Sequence, residues 1–303
     1  MSDAYHTPVL LKACIEYLNI KPSGTYVDLT FGGGGHSKEI LKHLDKNGKL
    51  FSFDQDKDAE KNLPNDERFV FIRQNFRYVK NYLRLHNVSE IDGVLGDLGV
   101  SSHQFDAAER GFSIRFDAPL DMRMNQQNPL NAKTVVNEYP EERLISVFKN
   151  YGELSAAKKI SSLIVKARVE KKINTTFELK EVLKPVTPKF EDHKFFAKVF
   201  QALRIEVNEE MNALTECLNQ CLELLKPGGR MVMVSYHSLE DRLVKNTIKT
   251  GNAEGIEKKD LIYGKSEKKM KPLFSKVVTP DEEEIKFNTR ARSAKMRAGE
   301  KTG

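Results

Sequence analysis

The sequence predicts an α/β fold: a doubly wound parallel sheet interrupted by an inserted helical domain. Three observations point to it. Short apolar runs at Thr25–Leu29, Leu50–Asp54, Phe69–Ile72 and Ile91–Asp97 alternate with helical patterns. The alternation stops after Asp97, and a stretch that is first loop-rich and then helical runs from about Phe105 to Phe200. A helix and a Val- and Met-rich strand, Arg230–Tyr236, then resume the pattern. Strands alternating with helices imply parallel pairing with helices on both faces.

The elements follow in order. A first helix starts at Thr7-Pro8, since Thr can cap and Pro suits the first helical position. Leu11, Ile15 and Leu18 recur at helical spacing, and Lys21-Pro22-Ser23-Gly24 ends the helix. Ile40, Leu41 and Leu44 share one face of a helix over Ser37–Leu44. Within the insertion, helices follow Pro140, cover Ser155–Lys171, and begin near Thr175 or Thr176. Pro185 and Pro188 mark the return to the main fold. Met211, Leu214, Leu218 and Leu225 lie on a helix that stops at Lys226-Pro227-Gly228-Gly229. A strand at Leu273–Val278, an acidic helix from Asp281 and a final strand near Ser293–Arg297 complete the chain. The expected domains are 1–104 with 206–303, and 105–205.

With 39% hydrophobic and 30% charged residues, the 303-residue chain reads as globular. No apolar run approaches the roughly 20 residues that span a bilayer. The N-terminus lacks the order of a signal peptide, so a cytoplasmic protein with no membrane partner is expected. Cys14, Cys217 and Cys221 have no CxxC spacing, which argues against disulfides or a metal site. From Lys286 onward, Lys286, Arg290, Arg292, Lys295, Arg297 and Lys301 face only Glu300, a charge excess that suits a polyanion such as RNA.

Val27-Asp28-Leu29-Thr30-Phe31 leads from a strand into Gly32-Gly33-Gly34-Gly35, followed by His36-Ser37 and a helix. Glycines here let the backbone turn sharply and approach a ligand, and the end of a first strand is where nucleotide-like cofactors sit. Ser37 stands where a G-x-G-x-x-G fingerprint needs its third glycine, and no Gly-Lys-Ser/Thr follows. The loop carries no cation to meet a pyrophosphate, whereas S-adenosylmethionine has no phosphate and needs only close backbone approach. Asp54, ending the second strand, is placed to accept both hydroxyls of a ribose. Asp97 ends the fourth strand, which lies beside the first in such a sheet. Two other classes stay open: a nicotinamide-dependent oxidoreductase, and a non-catalytic RNA-binding protein on the same fold.

Several long blocks resemble one family. They are Asp97-Leu98-Gly99-Val100-Ser101-Ser102, Glu109-Arg110-Gly111-Phe112-Ser113, and Pro119-Leu120-Asp121-Met122-Arg123-Met124. Phe200–Asn208, His237-Ser238-Leu239-Glu240-Asp241-Arg242 and Asn288-Thr289-Arg290-Ala291-Arg292 continue the series. The sequence resembles the ribosomal RNA small-subunit methyltransferase H family, also called MraW, almost from end to end. The resemblance implies a class I, S-adenosylmethionine-dependent fold with a helical insertion for substrate recognition. It also implies N4-methylation of a cytidine at the decoding centre of 16S rRNA, with that RNA or the small subunit as partner. By the same resemblance, Gly34, Gly35 and His36 line the methionine part of the cofactor. Asp54 holds its ribose, Phe76 packs near its adenine, and Asp97 and Gln104 complete the pocket. Asp97 is the first candidate for chemistry, with His237 and Asp121 as alternatives. Arg290, Arg292, Lys295 and Arg297 are candidate RNA contacts. Some positions depart from the family pattern: Gly33 stands where arginine is frequent, Tyr236 replaces a common phenylalanine, and Phe105 a common leucine. Asp97-Leu98-Gly99-Val100 also lacks the Pro-Pro-aromatic motif of many amino-methyltransferases, so their mechanism does not transfer.

Overall fold

The computed structural model describes residues 8–256 and 268–303. The chain divides into two compact units, one of residues up to Gly99 together with those from Met211 on, the other Val100–Glu210. Thr7, expected to cap the first helix, lies outside the described residues. That helix, α1, spans Leu11–Leu18, later than expected, because Leu10 just before it is in the left-handed region at φ 55°.

In the first unit β1 (Thr25–Asp28), α2 (Gly35–His43), β2 (Lys49–Phe53), β3 (Phe69–Ile72), α3 (Val79–Leu85) and β4 (Ile91–Asp97) follow one another. β1 pairs in parallel with β2 on one side and β4 on the other, and β3 extends the sheet beyond β2. The strands are apolar on both faces because both are covered, as parallel strands generally are. Asp92, near the start of β4, is a buried polar exception. Its carboxylate accepts from the Thr25 amide at 3.0 Å and Lys226 Nζ at 2.9 Å, which compensates its burial.

The second unit is helical. It contains α4 (Ser102–Asp106), α5 (Ala132–Glu138), α6 (Glu141–Asn150), α7 (Ala157–Glu170), α8 (Thr176–Leu183) and α9 (Asp192–Asn208). Thr175 caps α8 in a reciprocal capping box with Glu178. Leu144, Phe148, Ile160, Ile164, Leu179, Val199 and Leu203 form its own core. Pro185 and Pro188 do not mark the return to the sheet: the 17-residue α9 comes after them. Asn208 at its end ties the unit together, donating to Met122 O at 2.8 Å and accepting from Met124 N at 2.7 Å.

The chain then re-enters the first unit with α10 (Glu210–Leu224), β5 (Leu225–Ser235), α11 (Ser238–Thr250), β6 (Met270–Pro272), α12 (Glu282–Phe287) and β7 (Lys295–Lys301). β5 begins earlier than the expected Arg230: Ile91 faces Leu225, the register slips, and Gly93 faces Arg230. Lys226-Pro227-Gly228-Gly229 is the slipped part rather than a free loop. The sheet has seven strands in the order β3-β2-β1-β4-β5-β7-β6. β7 is antiparallel to both neighbours. The expected strand at Leu273–Val278 is replaced by β6 and an isolated bridge between Val278 and Met296. Asp281 caps α12 by accepting from the Glu284 amide. Among the described residues no helix is long and apolar enough to cross a membrane.

Candidate active site

Parallel pairing puts the carboxyl ends of β1, β2 and β4 on one edge. Asp28 pairs beside Ser52 and Leu95, so Asp28, the following Asp54 of β2 and Asp97 of β4 sit at the ends of three adjacent strands. The strand order reverses between β1 and β4, and ligands of open α/β sheets bind outside that point.

The glycine turn closes this edge. Gly34 stands at φ 76°, and a Cβ there would lie 2.8 Å from the Phe31 ring, so both backbone and space demand glycine. Gly35 is as tightly enclosed, with Pro8 Cγ 2.1 Å from where its Cβ would be. Gly33 is different: a Cβ there would meet nothing within 4 Å. The turn therefore packs inward at Gly34 and Gly35 and leaves an open face at Gly33.

Three carboxyls line the edge, each in a different setting. Asp28 is wholly buried and accepts from Ser37 Oγ at 2.6 Å and the Thr30 amide at 3.0 Å. Burial pushes its carboxyl up to about 6 against those hydrogen bonds. Ser37 also meets Ser52 Oγ at 2.8 Å, which links the first turn of α2 to β1 and β2. Asp54, half-buried, accepts from the Gly32 amide at 2.8 Å and the Asp56 amide at 2.9 Å. Burial lifts it to about 6, opposed by these two bonds and helped by the Asp56 and Asp28 charges. Asp97, half-buried, accepts from the Tyr236 hydroxyl at 2.7 Å, and its amide donates to Thr30 Oγ1 at 2.7 Å. Burial first, then the Asp28, Glu240 and Glu284 charges, raise it to about 7.

His36 lies in the first turn of α2, buried, with burial pushing its imidazole down to about 4. Among the described residues its Nε2 has no hydrogen-bond partner. Phe76 is half-buried in a short 3-10 turn after β3, packed on the sheet core. Asn75, beside it, donates to Gln55 Oε1 at 3.2 Å, which joins this turn to the residue after Asp54.

The other candidates have hydrogen bonds of their own, although among the described residues Nε2 of His237 is buried with no hydrogen-bond partner, 3.2 Å from Glu240 Oε1. His237 caps α11: its Nδ1 accepts from the Glu240 amide, and Glu240 accepts in return from the His237 and Tyr236 amides. Gln104 and Asp121 belong to the helical unit. Gln104 is buried and accepts from the Ser101 amide at 3.2 Å. Both oxygens of Asp121 are held by the Arg123 guanidinium, at 2.9 and 2.7 Å. Burial works against it, but those bonds keep this carboxyl below the usual range.

The basic segment is not a free tail. β7 is an interior strand between β5 and β6, and Arg297 is clamped by Asp241 at 2.6 and 3.1 Å. Arg292 and Lys295 are exposed, and Arg290 is half-buried. Three residues of this edge lie outside the site candidates named from the sequence: Asp28, Tyr236 and Glu240. Asp28 ends β1 four residues before Gly32, and His237-Ser238-Leu239-Glu240 has capping-box spacing.

Comparison with known proteins gives a match to the MraW methylase family model over residues 3–302. A ribosomal RNA small subunit methyltransferase H from Flavobacterium johnsoniae is 58% identical over 297 residues, covering 98% of each chain. One from Bacteroides fragilis is 56% identical over 297 residues, covering 98% of this chain and 97% of that one. Another, from Cytophaga hutchinsonii, is 54% identical over 299 residues, covering 98% of this chain and 99% of that one. Identity of this degree along nearly the whole length settles the relationship that the strand-end acids and glycine turn suggest, and the chain belongs to the MraW methylase family.

Proposed function

We propose that this chain is an S-adenosylmethionine-dependent methyltransferase acting on N4 of a cytidine in small-subunit ribosomal RNA. The observation that carries the cofactor is the pairing of three poorly solvated carboxyls with an open glycine face and no cation in the loop. Such an edge repels a pyrophosphate and favours a positively charged, phosphate-free nucleoside. An unpartnered buried imidazole nitrogen at His36 fits a further ligand atom. The RNA class rests on the relatives' name, and the cytidine N4 on the resemblance of the sequence blocks. The oxidoreductase alternative is not favoured, since the family is one of methylases.

Gly34, Gly35 and His36 would hold the methionine end, Asp54 the ribose and Phe76 the adenine side. Asp97 and Gln104 complete the cofactor set carried over from the family. When bound, S-adenosylmethionine supplies an electrophilic methyl that the amino nitrogen takes as the carbon–sulfur bond breaks. The cytosine amino group is a weak nucleophile because its lone pair is delocalised into the ring. Asp97 accepts one N–H, which returns electron density to the nitrogen, and then takes the departing proton. A carboxyl near 7 is matched to that exchange at neutral pH. His237 supports the site as a helix cap, and Asp121 holds the Arg123 side of the helical unit.

A stacked base cannot reach such an edge, so the target must be unpaired or flipped out. The helical unit, 105–205 as read from the sequence, is assigned to substrate recognition, with Arg290, Arg292 and Lys295 as phosphate contacts. Nucleoside mass analysis of ribosomal RNA from cells with and without the gene tests the assignment. Loss of one N4-methylated cytidine supports it, and an unchanged nucleoside profile refutes it.

A further inference from the structure

We infer that Tyr236 is a positioning residue for the transfer: its hydroxyl occupies Oδ1 of Asp97 and leaves Oδ2 as the oxygen offered to the acceptor amino group. The inference rests on the role proposed above for Asp97.

The geometry is specific. The Tyr236 hydroxyl donates to Asp97 Oδ1 at 2.7 Å, and among the described residues Oδ2 has no side-chain partner. A carboxylate that can rotate freely offers either oxygen in many directions. One strong donor at Oδ1 fixes the carboxylate plane and with it the lone pairs of Oδ2. Tyr236 is itself held. Its amide donates to Glu240 Oε2 at 2.8 Å, and Gly99, at φ 96°, lies against its ring: a Cβ there would be 3.3 Å from Cδ2. The Asp97 amide is bonded to Thr30 Oγ1, so both ends of the pair are anchored in the sheet edge.

The same bond governs charge. Asp28 from β1, Glu240 from α11 and Glu284 from α12 all disfavour ionised Asp97, and Cys14 from α1 also faces it, as a neutral thiol. Among the described residues, the bond from the Tyr236 hydroxyl is the one side-chain hydrogen bond that favours the carboxylate. Burial keeps that hydroxyl protonated, so it serves as a donor throughout the working pH range.

Tyr236→Phe removes the oxygen and keeps the ring against Gly99. The titration of Asp97 is read by carbon-13 NMR of aspartate-labelled protein alone, assigned with Asp97→Asn. Single-turnover rates are then measured against pH with saturating donor and RNA. The expected result is an Asp97 midpoint about one pH unit higher in Tyr236→Phe, with the acid limb of the rate moved equally. At neutral pH the rate should fall about fivefold, with the KM for RNA unchanged. An Asp97 midpoint and rate profile identical to wild type would overturn the inference, provided Asp97→Asn is impaired. A wild-type rate for Asp97→Asn would instead overturn the role of Asp97, and this inference with it.

Discussion

Replacing Asp28 with Asn should change how stability responds to pH. Asp28 is wholly buried, and its carboxyl is moved from 3.8 to about 6, mainly by burial. The folded state therefore holds a proton that the unfolded chain releases at a lower pH. The stability from that proton is complete below the unfolded value and is lost as pH rises through about 6. A shift of about two units corresponds to roughly 3 kcal/mol in all, of which about 1.3 kcal/mol appears between pH 7 and pH 5. Asn keeps an oxygen for the Thr30 amide but exchanges no proton. Other carboxyls, such as Asp66 and Asp121, titrate in the opposite sense, so only the difference between wild type and variant isolates Asp28. Urea denaturation of both proteins across this range is the assay. The wild type should gain about 1.3 kcal/mol on Asp28→Asn as pH falls from 7 to 5. A difference that stays flat, or moves the other way, would show that burial does not hold the proton on Asp28.

Three further outcomes follow from the same edge. Binding of the sulfonium donor near pH 6.5 should release protons, because a cation lowers the three raised carboxyls, whereas the uncharged thioether product should release fewer; calorimetry in buffers of different ionisation enthalpy measures this, and equal release would count against it. Gly34→Ala should cost about 1–3 kcal/mol through its positive φ and its contact with Phe31, while Gly33→Ala stays within about 0.5 kcal/mol of wild type; comparable losses at both would contradict the open face at Gly33. Arg292→Ala and Lys295→Ala should each reduce the salt slope of RNA binding by up to about one, whereas Arg297→Ala should lower stability and leave the slope unchanged. Filter binding at several salt concentrations, with a thermal melt, separates the two effects.

The strands Phe69–Ile72 and Ile91–Asp97 are legible to the residue because each is a short apolar run between polar turns. Asp54 and Asp97 are legible for a related reason: an acid directly after such a run stands at a strand end. Asp28 is harder, since nothing local distinguishes an acid that braces a loop from one that turns to solvent. The pairing of Tyr236 with Asp97 joins residues 139 apart in the chain and leaves no local periodicity. β7 is legible in part, since the strand expected near Ser293–Arg297 overlaps its start at Lys295. Met296 and Ala298 alternate with Lys295 and Arg297 as a half-buried strand requires, but the density of cations reads first as a solvated tail. The start of β5 was hidden by Pro227-Gly228-Gly229, whose turn chemistry is real but sits inside a slipped register.

β7 is made after β6 and yet lies between β6 and β5. While the chain is still emerging from the ribosome, β5 has an unsatisfied backbone rim, which is a template for sticking to other chains. A message cut short before residue 295 would therefore yield no crippled but tolerable enzyme, only a polypeptide destined for chaperones or proteolysis. Late frameshifts should be as damaging to this protein as early ones.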